Sequence, residues 1–210
     1  LNFYIGKMNN IYFQVFFICL IGAMSPGPSM VVVVNNAIFK NRYHGILTSI
    51  GHGIGISIYA VFAVIGIGMI IKTNIFIFNS IKIISVFFLI YMGLKSIFKN
   101  NKINFDQGEF KGKATSFFQG FSIAILNPKI FIWFVAIYSQ FMSVNNNIIF
   151  NMYLIITAGI VDTFWYICLT FLATTSLSLN FIKSKNNLLS KVSGYLFIIL
   201  GVLLLVNIFI

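Results

Sequence analysis

The chain alternates long apolar runs with short polar interruptions. Six runs stand out: Ile11–Asn35, Ile46–Ile71, Ile75–Phe98, Ala114–Met142, Ile148–Leu177 and Leu188–Ile210. Each approaches the about 20 residues that an α-helix needs to cross a bilayer. Within a run, apolar residues fall on both parities, which excludes the alternation of a transmembrane β-barrel. Polar residues mark the junctions: Lys40 and Arg42, then Lys72-Thr73-Asn74, the segment Lys99–Lys113, and Ser143-Val144-Asn145-Asn146-Asn147. The pattern predicts an all-α integral membrane protein of six transmembrane helices, forming a single domain over residues 1–210.

Two of those helices should not be continuous. The chain has three prolines, and all lie inside apolar runs. Pro26 and Pro28 flank Gly27 in Ser25-Pro26-Gly27-Pro28, and Pro128 sits in Asn127-Pro128-Lys129. A proline in a helix interior removes a backbone donor and clashes with the preceding turn. Spans 1 and 4 are therefore predicted to be broken. The first run also resembles a signal peptide, with Lys7 ahead of an apolar stretch and Ala23-Met24-Ser25 as a cleavage-like site. Pro26 would stand just after that cut, and the apolar run resumes at Met30, so the segment is expected to remain as a helix. Met8 is an alternative start.

The second half echoes the first. Phe16-Phe17 precedes Pro26 as Phe117-Phe118 precedes Pro128, and Gly93 follows an apolar hexad as Gly201 does. Three spans per copy reverse the second copy in the membrane. The expected arrangement is two inverted three-helix repeats, 1–98 and 114–210, joined by a cytoplasmic loop at 99–113. Ten Lys and Arg residues follow spans one, three and five, against three (Lys7, Lys72 and Lys82) on the other side. Basic residues collect on the cytoplasmic side, so both termini are expected outside the cytoplasm.

Composition agrees: 59% hydrophobic, 8% charged, mean hydropathy +0.97. A net charge of +11 would suggest nucleic acid in a soluble protein. Here the basic residues sit at the ends of apolar runs, and no nucleic-acid partner is expected. Cys19 and Cys168 lack CxxC spacing and read as small buried side chains. There is no Walker motif, HExxH or metal-ligand cluster, so no cofactor and no metal are expected.

A broken helix within a bilayer must turn its freed backbone groups toward protein or a wet cavity. Half-helix N-termini favour carboxylates and unwound carbonyls favour cations, so a zwitterionic amino acid would suit both. The candidate site residues are thus Ser25, Pro26, Gly27 and Pro28 at one break, and Asn127, Pro128 and Lys129 at the other. Asp162 joins them as the one acidic residue within any apolar run, since Asp106 and Glu109 lie in the polar segment. A carboxylate there costs about 2.5–3.5 kcal/mol on insertion scales. It reads as a proton-coupling or ammonium-binding group, or more blandly as a structural ion pair. Lys129 would pair with Asp162, bind a substrate carboxylate, or reach the interface. Gly51, Gly53, Gly55, Gly66 and Gly68 read as packing positions. His52 among them reads as packing or hydrogen bonding first. Tyr59, Trp133, Tyr138, Trp165 and Tyr166 fit either a cavity wall or an interfacial belt.

These elements resemble the LysE/RhtB family of amino-acid exporters along essentially the whole chain. The resemblance rests on Ser25-Pro26-Gly27-Pro28, on Gly45 to Gly55 after the basic turn, and on Asn127-Pro128-Lys129. Ser139-Gln140-Phe141, Val161-Asp162 and the Gly194 to Gly201 pattern also match. Ser139 stands where the family usually has proline, which puts a turn there in question. The resemblance implies a non-enzymatic secondary transporter of the bacterial inner membrane. It would export amino acids or close derivatives, driven by protons. The expected partners are a small-molecule amino-acid substrate, protons and the lipid bilayer, with homo-oligomerisation open. An ion or metal permease would need more acidic or thiol ligands than one Asp. An intramembrane lipid-acting enzyme would need a nucleophile with a base.

Overall fold

The computed structural model describes residues 2–98, 113–142, 147–175 and 178–209. All regular structure among them is α-helical: α1 Asn2–Met24, α2 Pro28–Phe39, α3 Arg42–Thr73, α4 Ile75–Phe98, α5 Lys113–Ile125, α6 Pro128–Phe141, α7 Ile148–Ala173 and α8 Ser178–Phe209. The polar segment expected at 99–113 lies outside the described residues except for Lys113, which opens α5. The turn at 143–147 is described at Asn147 alone.

Three helices, α3, α4 and α7, are long and apolar enough to cross a bilayer among the described residues. Counting each bent pair, α1 with α2 and α5 with α6, as one span raises the number to five. The apolar part of the last helix, Ser190–Val206, falls short of the length test. That helix also begins ten residues before the apolar run starts at Leu188, because its first turns are polar.

Asparagines set the junctions. Asn41 Oδ1 accepts from His44 N at 3.2 Å to cap α3, Asn147 Oδ1 from Phe150 N at 2.8 Å to cap α7, and Asn74 Oδ1 from Ile77 N at 3.0 Å. Each satisfies a backbone donor that a helix start leaves free, worth about 1 kcal/mol. Ser139 lies inside α6, where its hydroxyl donates to Ala136 O at 2.8 Å. The helix therefore runs through the position that the resemblance put in question.

The surface is apolar and the interior carries polar groups. Phe62 and Phe164 are 62% and 67% exposed, and Ile65, Ile84, Phe87, Ile160 and Ile199 also face outward. Ser25, Asn36, Thr48, His52, Ser116 and Asp162 are buried. In water such a surface would be an aggregation hazard. Facing lipid it carries no such cost. Helix α3 is central and packs on α2, α5, α6 and α7, while α4 packs mainly on α8 and α6. Small residues set the closest approaches. Gly53 meets Gly159 and Thr163 across α3 and α7, and Gly93 meets Gly194 across α4 and α8. One apolar core gathers Val15, Ile18, Val64, Phe134, Ile137 and Leu154 from α1, α3, α6 and α7. A smaller one joins α2 to α7 through Val33, Val34 and Leu169.

Candidate functional site

Both proline motifs break their helices. Helices α1 and α2 meet at 67°, and α5 and α6 at 57°. At the first break Pro26 cannot donate to Gly22 O, which accepts from Ser25 N instead at 3.2 Å. Gly27 is extended at the start of α2, which has Pro28 as its first residue and no side-chain cap. At the second break Pro128 cannot serve Ala124 O, which accepts from Asn127 N at 3.3 Å. Asn127 Oδ1 takes Lys129 N at 3.1 Å. That capture deprives Ile125 O of its regular helical donor, and the Tyr59 hydroxyl supplies a replacement. The freed backbone is thus partly re-satisfied by side chains, as a break within a bilayer requires.

The two breaks meet at one cavity of about 60 Å3, enough for a few water molecules. Of the eight residues singled out from sequence, Ser25, Gly27, Pro28, Asn127, Lys129 and Asp162 stand in its wall. Pro26 is buried within the first break, and Pro128 is the first residue of α6. Lys129 Nζ donates to Ser25 Oγ at 2.8 Å, tying α6 directly to the first break. The rest of the wall is largely apolar, with Ile56, Ile130, Phe134 and Ala158.

Asp162 does not take Lys129 as its ion partner. Its Oδ2 lies 2.6 Å from His52 Nδ1, with His52 1% and Asp162 6% exposed. A short contact of this kind is charge-assisted and strengthened by the low local dielectric. The Tyr166 ring meets His52 edge-on, with centroids 4.8 Å apart. Among the described residues His52 Nε2 and Trp133 Nε1 find no hydrogen-bond partner although both are buried, and both residues line the cavity. Trp133 fits there because Gly22 has no side chain; a methyl group at that position would come within 2.6 Å of the indole.

His52, expected to pack or to hydrogen-bond, does both, and it stands in the cavity wall beside the residues singled out from sequence. Its signal was present in Gly51-His52-Gly53, an imidazole between two small residues on a helix that packs closely on both sides.

Polar layers lie between the cavity and the α2–α3 turn. Asn36 Nδ2 donates to Thr48 Oγ1 and Gln119 Oε1, each at 2.9 Å. Nearer the turn, Ser116 Oγ accepts from Lys40 Nζ at 3.0 Å and meets His44 Nδ1 at 2.8 Å. Side-chain hydrogen bonds thereby join α2, α3 and α5. On the opposite side the cavity abuts the larger apolar core. Asn36→Leu keeps the branching of the side chain but strips two acceptors of their donor. It is expected to destabilise the detergent-solubilised protein by about 1–3 kcal/mol. A thermal melt reads this as a lowered midpoint, and an unchanged midpoint would contradict it.

A cavity where two helix breaks meet, with a lysine and a buried carboxylate in its wall, is the architecture of a membrane transporter. The comparisons place this chain more narrowly: the family described as LysE type translocator matches residues 20–208, and the protein belongs to it. It is similar to the uncharacterized membrane protein YrhP of Bacillus subtilis, 32% identical over 160 residues, covering 70% of this chain and 75% of that protein. It is also similar to the leucine efflux protein of Salmonella typhimurium, 27% identical over 138 residues, covering 60% of this chain and 62% of the relative. The leucine efflux protein of Salmonella choleraesuis matches over the same shares. The chain thus spans less than two thirds of the leucine efflux relatives. No solved structure matches it.

Proposed function

We propose that this protein is a proton-coupled exporter of amino acids in the bacterial inner membrane, and that neutral, apolar amino acids such as leucine are its substrates. One observation carries the reading: both helix breaks, Lys129 and Asp162 converge on a single cavity. The α2 N-terminus, Lys129 and Ser25 suit the substrate carboxylate. Asp162 suits the ammonium. Ile56, Ile130 and Phe134 suit an apolar side chain. A second ammonium, as in a basic amino acid, would have no second carboxylate in this wall and would meet Lys129. The leucine efflux relatives favour the same substrate class.

The six spans form two inverted repeats around this site, with both termini in the periplasm. The facing glycine pairs Gly53–Gly159 and Gly93–Gly194 support a pseudo-two-fold axis that relates α3 to α7 and α4 to α8, with Gly194 rather than Gly201 as the counterpart of Gly93. The excess of basic residues after odd-numbered spans supports the orientation. An ion or metal permease is less suited: among the described residues no three His, Cys, Asp or Glu side chains converge.

The experiment is growth protection. A strain overexpressing the protein, challenged with a leucine-containing dipeptide, should keep its internal leucine low and resume growth sooner than the vector control. A phosphatase fused after Ile210 should be active in the same strain. Equal internal leucine in both strains, with the protein present in the membrane fraction, would remove the reading.

A further inference from the structure

Asp162 alone does not explain how a proton and a substrate would exclude each other. The geometry points to His52 as the proton carrier: we infer that the drive proton and the substrate ammonium compete for the same atom, His52 Nε2. The inference rests on the export reading and deepens it.

The imidazole is buried and anchored at one end. Its Nδ1 meets Asp162 Oδ2 at 2.6 Å, which with an ionised carboxylate fixes the Nδ1–H tautomer. The other nitrogen, Nε2, is buried with no partner among the described residues, on a residue that lines the cavity. A buried polar atom without a partner is costly, and one beside a cavity is completed by what enters it. The other titratable groups in the wall are Asp162 and Tyr166 of α7, Cys19 of α1 and Lys129 of α6. Helices α2 and α5 add no titratable side chain to the lining. Lys129 is engaged with Ser25.

Two states follow. With Nε2 protonated, imidazolium and carboxylate form a net neutral pair, and Nε2–H repels an ammonium. With Nε2 bare, the pair carries one negative charge, and its lone pair accepts a hydrogen bond from the substrate ammonium. In the inward-facing state the proton on Nε2 leaves to cytoplasmic water and a zwitterion takes its place. In the outward-facing state a periplasmic proton binds Nε2 and the zwitterion departs. One proton enters per amino acid exported, and the ammonium keeps all its protons throughout.

The test uses the full chain in proteoliposomes with leucine as probe. Wild type should show leucine–leucine exchange without a pH gradient and accumulation when a gradient is imposed. His52→Gln should exchange more slowly, with raised KM, and lose gradient-driven accumulation altogether. Accumulation by His52→Gln at wild-type levels overturns the inference. Wild-type binding offers a second test that needs no variant to fold. Leucine affinity should fall about tenfold per pH unit on the acid side of the titration. A flat profile there also overturns it. If wild type shows neither exchange nor accumulation, the export reading itself fails and takes the inference with it; retained exchange with a flat pH profile removes the inference alone.

Discussion

Asp162→Asn is expected to collapse the leucine gradient that the protein maintains, while the variant still inserts and folds. Asparagine preserves the shape and an oxygen to accept from His52 Nδ1, so the 2.6 Å contact has a neutral substitute. What it removes is the countercharge. Truncating one partner of a buried ion pair usually costs about 3–5 kcal/mol, because the survivor is left charged. Here the amide oxygen still accepts from the imidazole, so the structural cost is smaller. Insertion also becomes easier, since a mid-span carboxylate itself costs about 2.5–3.5 kcal/mol. Transport has no such escape. With a neutral amide in place of Asp162 the cavity never reaches a negative state, and the substrate ammonium loses its countercharge. Export from cells loaded with a leucine dipeptide should fall to the vector level, with normal protein in the membrane fraction. Wild-type export by this variant would exclude Asp162 from the mechanism.

Much of this arrangement is legible in the chain, because the bilayer makes exceptions conspicuous. Prolines inside apolar runs had to break helices, and the breaks at Ser25–Gly27 and Leu126–Asn127 stand where the prolines put them. Asp162 and Lys129 stand out as charges within such runs, and both line the cavity. What is not legible is rotational phase. Whether Asp162 faces His52 or Lys129 depends on how α3 and α7 turn against each other, and apolar runs have no polar face to report it. The approach of Gly53 to Gly159 sets that phase, and a glycine in sequence does not name its neighbour. The Tyr59 hydroxyl on Ile125 O escapes notice for the same reason: it answers a carbonyl freed when Asn127 captures Lys129 N at the break between two other helices. The polar start of α8 is hidden differently. Hydropathy marks where a helix enters lipid, and α8 continues past that edge.

The glycines of α3, uniform in sequence, divide in three dimensions, and substitution should divide them too. A methyl group at Gly51 would strike the Phe117 carbonyl of α5, and one at Gly120 would strike the Thr48 carbonyl of α3. Both obstacles are backbone within helices, so no side chain can swing aside, and α3 and α5 would have to separate. That movement would pull Thr48 and Gln119 away from Asn36, and would shift His52 relative to α7. Overpacking of a close interface costs about 1–3 kcal/mol and sometimes more. Gly51→Val and Gly120→Val meet rigid backbone and should lie at the upper end, with the double variant giving little folded protein. Gly66, in the same helix, has nothing within 4 Å, and Gly68 has only the end of the Met142 side chain at 3.6 Å. Alanine is a better helix former than glycine by about 1 kcal/mol. Gly66→Ala and Gly68→Ala should therefore melt no lower than wild type, and slightly higher if helix propensity dominates. Fluorescence-detected size exclusion after a heating series separates the two groups. A Gly51→Val protein as heat-stable as Gly66→Ala would mean that α3 and α5 do not meet backbone to backbone.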